Sequence, residues 1–329
     1  MKGSHKVIVE TERIKYTFTI RRNITIVLGD SATGKTTLVD YLNMYSHRGS
    51  GSGVTVQSDV SCVVLNTVAG HWQGILSEIT RSIIFIDEGQ PFIFSKDFAD
   101  AVRGSDNYYV LITRRPIYNL PYSTKEIYGI RTIGKYHFPE KVYQEFYPIY
   151  DQAADHPAFK GDVLLLEDSG AGYQFFEKAL PNIRCISAAG NAQIINKLKT
   201  LNKEDQTVVF ADGAAFGAFI ESVLTINEYR GNTALYLPES FEWMILQSGV
   251  INSAEISDIL EHPEDFIDSS VYLSWERFFT ELLEKTTVND EKIRYNKIRL
   301  ADYYLSTKCV YRILDVIPET IRDYLTSAN

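Results

Sequence analysis

Eight residues constrain this chain more than any others: Gly29-Asp30-Ser31-Ala32-Thr33-Gly34-Lys35-Thr36. They follow a buried apolar run, Ile24–Leu28, and precede a helical pattern from about Lys35 to Met44. Strand, G-x-x-x-x-G-K-T loop and helix in that order make a phosphate cradle. The glycines let backbone N–H groups curl around phosphates, and the helix N-terminus adds its positive dipole end. In such a loop Lys35 reaches the β- and γ-phosphates, Thr36 offers a hydroxyl to Mg²⁺, and Thr37 continues the cradle.

Hydrophobic periodicity extends the pattern on both sides. "KVIVE" and "IKYTFTI" alternate, as a hairpin leading into the loop strand does, while Arg48–Gly53 ("RGSGSG") reads as a surface loop. Cys62–Asn66, Ser82–Glu88 and Tyr108–Arg114 read as further strands, and their alternation with helices predicts a parallel sheet flanked by helices. "SIIFIDE" ends in Asp87 and Glu88. A carboxylate at the end of a buried strand suits a Mg²⁺ ligand (Asp87), and its neighbour Glu88 suits a group that polarises the attacking water. On the next strand Thr113 is the candidate γ-phosphate sensor, and Arg114 the candidate stabiliser of transition-state charge.

Together the hairpin, the loop and the Asp87-Glu88 pair resemble the additional-strand, catalytic-glutamate class of P-loop NTPases, which includes ABC, RecF and OLD-type ATPases. The resemblance covers roughly residues 5–135 and implies ATP hydrolysis with Mg²⁺. It departs from the ABC pattern: the chain has no LSGGQ signature, and Ala69–Gly74 ("AGHWQG") is no substitute.

Beyond a stretch containing Pro139, Pro148 and Pro157, expected as a linker over 136–160, strand–helix alternation resumes. "LLLEDSGAGYQFFEKAL" places Glu167 at a strand end, and "VVFADGAAFGAFIESVL" places Asp212 likewise. These units, over 161–250, resemble a TOPRIM-type domain, as in topoisomerases, primases and OLD-family nucleases. That resemblance implies a second Mg²⁺ site at Glu167 and Asp212. The family's Asp-x-Asp is Asp212-Gly213-Ala214 here, with Asp168 and Glu221 as the candidate substitutes for the missing carboxylate. Residues 251–329 read as helical, with Trp275, Phe278, Phe279 and Leu282 at helical spacing as core or as a partner surface. The expected architecture is α/β: a P-loop NTPase parallel sheet in residues 1–135, a smaller TOPRIM-like Rossmannoid domain, and a helical C-terminus.

Charge bears on partners. Residues 1–150 hold 17 basic against 14 acidic residues, and residues 151–329 hold 16 against 28. So acidic a second half repels a phosphate backbone over most of its surface, and a nucleic-acid partner is implied by the TOPRIM resemblance alone. Cys62, Cys185 and Cys309 are odd in number and far apart, which suits reduced thiols rather than zinc. With no long apolar run and no apolar segment near the start, a cytoplasmic protein without membrane contact is expected. The sequence leaves open a homo-oligomer and a nucleic-acid or protein partner. ATP is favoured over GTP because no N-K-x-D base-reading motif occurs. The expected activity is an ATPase whose nucleotide state controls the TOPRIM-like domain, in nucleic-acid metabolism or anti-phage defence. The alternatives are a P-loop kinase of a small molecule, or a nucleotide-gated interaction protein with little turnover.

Overall fold

A computed structural model describes residues 1–29, 33–67, 71–137, 140–150 and 161–326, the side chains of 135–137 and 140 excepted. The chain forms two compact units, Met1–Tyr150 with His262–Leu273, and Asp151–Glu261 with Ser274–Asn329.

In the first unit β1 (His5–Glu10) and β2 (Ile14–Ile20) form the expected antiparallel hairpin. Their period-2 pattern buries Val7, Val9, Tyr16, Phe18 and Ile20 on one face. β3 (Ile24–Val27) is buried throughout, and the loop after it leads into α1 (Lys35–Arg48). Then come β4 (Thr55–Gln57), β5 (Ser61–Val64), α2 (Trp72–Glu78), β6 (Ser82–Ile86), α3 (Lys96–Val102) and β7 (Tyr108–Ile112). β6 and β7 are fully buried, which is why they read as unbroken apolar runs. Two long strands, β8 (Ile127–His137) and β9 (Glu140–Pro148), complete a sheet of order β4-β1-β2-β9-β8-β3-β7-β6-β5.

This sheet corrects two expectations. It is mixed rather than parallel: β8-β3-β7-β6-β5 run parallel, but β1 pairs antiparallel with β2 and β4, and β8 with β9. Residues 136–160 are not all linker, because β9 sits inside the sheet between β2 and β8, parallel to the former. Aromatic and β-branched residues there serve strand pairing: Phe146 of β9 stacks on Phe18 with centroids 4.1 Å apart. The segment 151–160 lies outside the described residues.

The second unit opens with β10 (Val163–Leu166), α4 (Ala171–Ala179), β11 (Arg184–Ser187) and α5 (Asn191–Thr200). It continues with β12 (Thr207–Phe210), α6 (Ile220–Arg230), β13 (Thr233–Tyr236), α7 (Phe241–Gln247) and α8 (Ala254–Glu261). Its four strands form a parallel sheet of order β11-β10-β12-β13. Phe175, Phe176, Phe210 and Phe241 pack together on it. The short helix α9 (Pro263–Phe266) belongs to the first unit, while α10 (Trp275–Thr287), α11 (Thr307–Leu314) and α12 (Glu319–Thr326) belong to the second.

The helical C-terminus is therefore not a separate region. Residues 262–273 are held in the first unit by backbone bonds, Gly3 N to Glu264 O at 2.8 Å and Ser269 N to Met1 O at 3.0 Å. In α10, Trp275 and Phe279 are core residues of the second unit, with Phe278 and Leu282 partly buried. Among the described residues no helix is long and apolar enough to cross a membrane.

Candidate functional site

The described ends of the loop after β3 rest on glycines and on a tyrosine of β2. Gly29 and Gly34 take φ of 132° and 90°, conformations that β-carbons resist. Tyr16 of β2 donates its hydroxyl to the Gly34 carbonyl at 3.0 Å. Burial pushes the Tyr16 phenol up to about 12, so it stays a donor at neutral pH. Lys35, at the start of α1, is 6% exposed. Its ammonium donates to the Gly29 carbonyl at 2.6 Å and to Thr33 Oγ1 at 2.9 Å, so the cation lies back along the loop. Asp30, Ser31 and Ala32 lie outside the described residues.

Two strand ends face this loop. A cavity of about 180 Å³ is lined by Thr33, Gly34, Lys35, Thr36 and Thr37 together with Asp87, Glu88, Ile112 and Arg114. The sequence-predicted cation, hydroxyl and carboxylates therefore meet in one place. Asp87 Oδ1 accepts the Glu88 N–H at 2.8 Å. Arg114 Nε lies 3.0 Å from Glu88 Oε1 and 3.1 Å from Oε2, a half-exposed pair across the cavity mouth. Thr113 is placed elsewhere. It is 2% exposed, its hydroxyl donates to Arg115 O (2.9 Å) and accepts from Arg115 N (3.0 Å), and it does not line the cavity. From the end of β7 the cavity is lined by Ile112 and Arg114.

The second unit gathers carboxylates at the carboxyl ends of β10 and β12, the edge where parallel α/β sheets place their sites. Glu167 Oε2 accepts the Asp212 N–H at 3.0 Å. Two glutamates that the sequence reading missed join them, Glu242 in the first turn of α7 and Glu276 in the first turn of α10. Both helices begin Ser-x-Glu, with acids where the helix dipole favours them. Lys297 donates to Glu276 Oε1 at 2.7 Å, and Tyr295 donates to Glu242 Oε1 at 2.7 Å. Burial pushes Glu167 up to about 7, with Glu276 and Asp168 adding like charge. Burial also raises Asp212 well above the carboxylate range, with Glu276, Glu167 and Glu242 adding to it. For Lys297 burial acts downward but is outweighed by Glu242, Glu276 and Asp212, leaving it above its ordinary value.

The two substitutes expected for the missing carboxylate do other work. Asp168 accepts the N–H groups of Gly170 (2.7 Å) and Gly172 (2.8 Å) at the start of α4. Glu221 lies exposed in the first turn of α6. Ala214, at the position of the missing acid, is 3% exposed. Among the described residues no three His, Cys, Asp or Glu side chains are arranged to hold a metal ion. Glu167 and Asp212 stand beside one another, the Asp212 backbone N–H donating to the Glu167 carboxylate. The thiols of Cys62, Cys185 and Cys309 are free.

No protein-family model matches this chain, and no curated protein matches it significantly.

Proposed function

We propose that the first unit binds ATP with Mg²⁺ and hydrolyses its β–γ phosphoanhydride, and that its nucleotide state governs the second unit. One observation carries this reading: a single cavity joins Lys35 and Thr36 of the loop to Asp87, Glu88 and Arg114 at two neighbouring strand ends. The strand order supports it too, because β7 is intercalated between β3, which carries the loop, and β6, which carries the acids. A strand inserted at this place is what the resemblance to the catalytic-glutamate class implies.

The roles follow from the donor set. Lys35 leaves its loop contacts for the phosphates, a stronger charge-assisted partner than a carbonyl. The Thr36 hydroxyl and the Asp87 carboxylate are hard oxygen donors on one cavity, and suit Mg²⁺. When bound, that ion would neutralise phosphate charge. Glu88 accepts a proton from water, and Arg114 moves from Glu88 to the charge developing on the transferred phosphoryl group. Coupling to the second unit runs along the chain. Asn23, just before β3, donates to the Leu273 carbonyl at 2.7 Å, and Glu276 follows three residues later. The partner of the second unit is a nucleic acid or a protein.

The test is Mg²⁺-dependent ATP hydrolysis by wild type, Lys35→Ala and Glu88→Gln, with and without single- and double-stranded DNA. Loss of turnover in both variants supports the assignment, and DNA stimulation supports a nucleic-acid partner. A second reading, nucleotide-gated interaction with little turnover, is favoured by the Arg114–Glu88 pair, which occupies the general base. Tight ATP binding without turnover under every condition would select it.

A further inference from the structure

The acidic centre of the second unit converges on a cation that the chain itself supplies. Lys297 Nζ lies 2.7 Å from Glu276 Oε1 and 4.0 Å from Glu242 Oε1. Its charge also acts on Glu167 and Asp212 at the strand ends. Glu276 thus binds the ammonium directly, Glu242 stands at the edge of ion-pair distance, and the two strand-end acids feel its charge.

The backbone around Lys297 is fixed as firmly as its head group. Ala171 N, at the start of α4, donates to the Lys297 carbonyl at 2.8 Å. Gln174 of α4 clasps the next residues twice, donating to Ile298 O at 2.7 Å and accepting from Leu300 N at 3.1 Å. The approach is so close that a Cβ on Gly170 would stand 2.2 Å from the Lys297 carbonyl oxygen.

A divalent ion fits this arrangement poorly. Mg²⁺ needs oxygen ligands at about 2.1 Å in near-octahedral array. Here Glu167 Oε2 is engaged by the Asp212 N–H, Glu242 Oε1 by the Tyr295 hydroxyl and Glu276 Oε1 by Lys297. The position of a third strand-end acid is the buried Ala214. We propose that Lys297 is a tethered cation standing where a metal ion would otherwise be required, so that the second unit keeps its acidic centre intact without metal. Clustered carboxylates repel one another, and a half-exposed ammonium 2.7 Å from Glu276 with its backbone clamped supplies a counter-charge that no chelator removes.

The place of Lys297 in the second unit does not depend on ATP hydrolysis in the first. Two measurements on the full chain without nucleotide test it. The first is Mn²⁺ uptake, followed by electron paramagnetic resonance, in wild type and Glu167→Gln. Equal uptake is expected, and uptake lost in Glu167→Gln would overturn the proposal. This readout does not depend on whether a Lys297 variant folds. The second is thermal unfolding of wild type and Lys297→Met in chelator and in millimolar Mn²⁺. Wild type should show one Tm in both. Lys297→Met should unfold several degrees lower in chelator, and Mn²⁺ should raise it as an ion enters the vacated place. A Tm for Lys297→Met that matches wild type, or that Mn²⁺ does not raise, would reduce Lys297 to an ordinary ion pair.

Discussion

Replacing Gly34 by alanine tests how the loop is held. Gly34 sits at φ 90° and ψ 6°, on the left-handed side of the backbone map. A β-carbon there costs about 1–2 kcal/mol in backbone energy alone. The same atom would stand 2.8 Å from the Tyr16 hydroxyl, well inside contact distance. Tyr16 is fully buried, so its ring has no free space to retreat into. Gly34→Ala therefore also displaces the Tyr16–Gly34 hydrogen bond, worth about 1 kcal/mol. The expected sum is about 2–3 kcal/mol, and for a unit of this size that lowers Tm by roughly 5–10 °C. Tyr16→Phe removes the oxygen that the β-carbon meets. In that background Gly34→Ala should cost about 1 kcal/mol less, because only the backbone strain remains. The assay is urea unfolding of the four proteins of the cycle, with nucleotide titration in parallel. Equal costs of Gly34→Ala in the two backgrounds would refute the reasoning, since the hydroxyl would then play no part.

Other outcomes follow from the same geometry. The buried pair Arg22–Glu126, at 3.3 Å with 7% and 2% side-chain exposure, should lose about 3 kcal/mol on Glu126→Ala, with much of it recovered by Arg22→Met/Glu126→Leu in denaturant unfolding. Arg114→Ala should change stability by less than about 1 kcal/mol, because the Arg114–Glu88 pair is half exposed, yet lower steady-state turnover at least tenfold. Asp168→Ala removes two bonds to the start of α4 and should cost about 1–2 kcal/mol by thermal unfolding. The second unit should also lose stability as pH rises. Glu167 is raised by burial to about 7, so its contribution is complete below the unfolded value near 4.3 and fades as pH climbs through 7. A Tm lower at pH 8 than at pH 5, with the slope flattened by Glu167→Gln, is the expected result.

The loop and its strand were legible because everything needed lies within about twenty residues: four buried positions, two glycines, a lysine and a helix start. Asp87 and Glu88 were legible because β6 is apolar on both faces and stops abruptly at charge. The β8–β9 hairpin was not. Its strands carry Arg131, Lys141 and Glu145 among aromatic residues, and Pro148, which ends β9, reads in sequence as a break between domains. Thr113 illustrates a different limit. A residue at a strand end can turn either way, and the hydrogen bonds of Thr113 to Arg115 decide for the turn. The acidic centre of the second unit marks the furthest reach of sequence reading. Glu167 and Asp212 stand at strand ends, where parallel sheets place function, and periodicity finds them. Glu242, Glu276, Tyr295 and Lys297 come from separate helices and a loop, as far as 130 residues downstream of Glu167, and nothing local marks them as neighbours. Lys297 was hidden doubly. In sequence it is one more basic residue in "EKIRYNKIRL", a stretch that reads as solvated, and its side chain stays 42% exposed while its ammonium reaches Glu276 and Gln174 and Gly170 hold the backbone around it. On the proposal above, a single lysine so placed takes the part of an external ion among these acids. The chemistry of a carboxylate cluster follows from what neutralises it, and that can be supplied from any part of the chain.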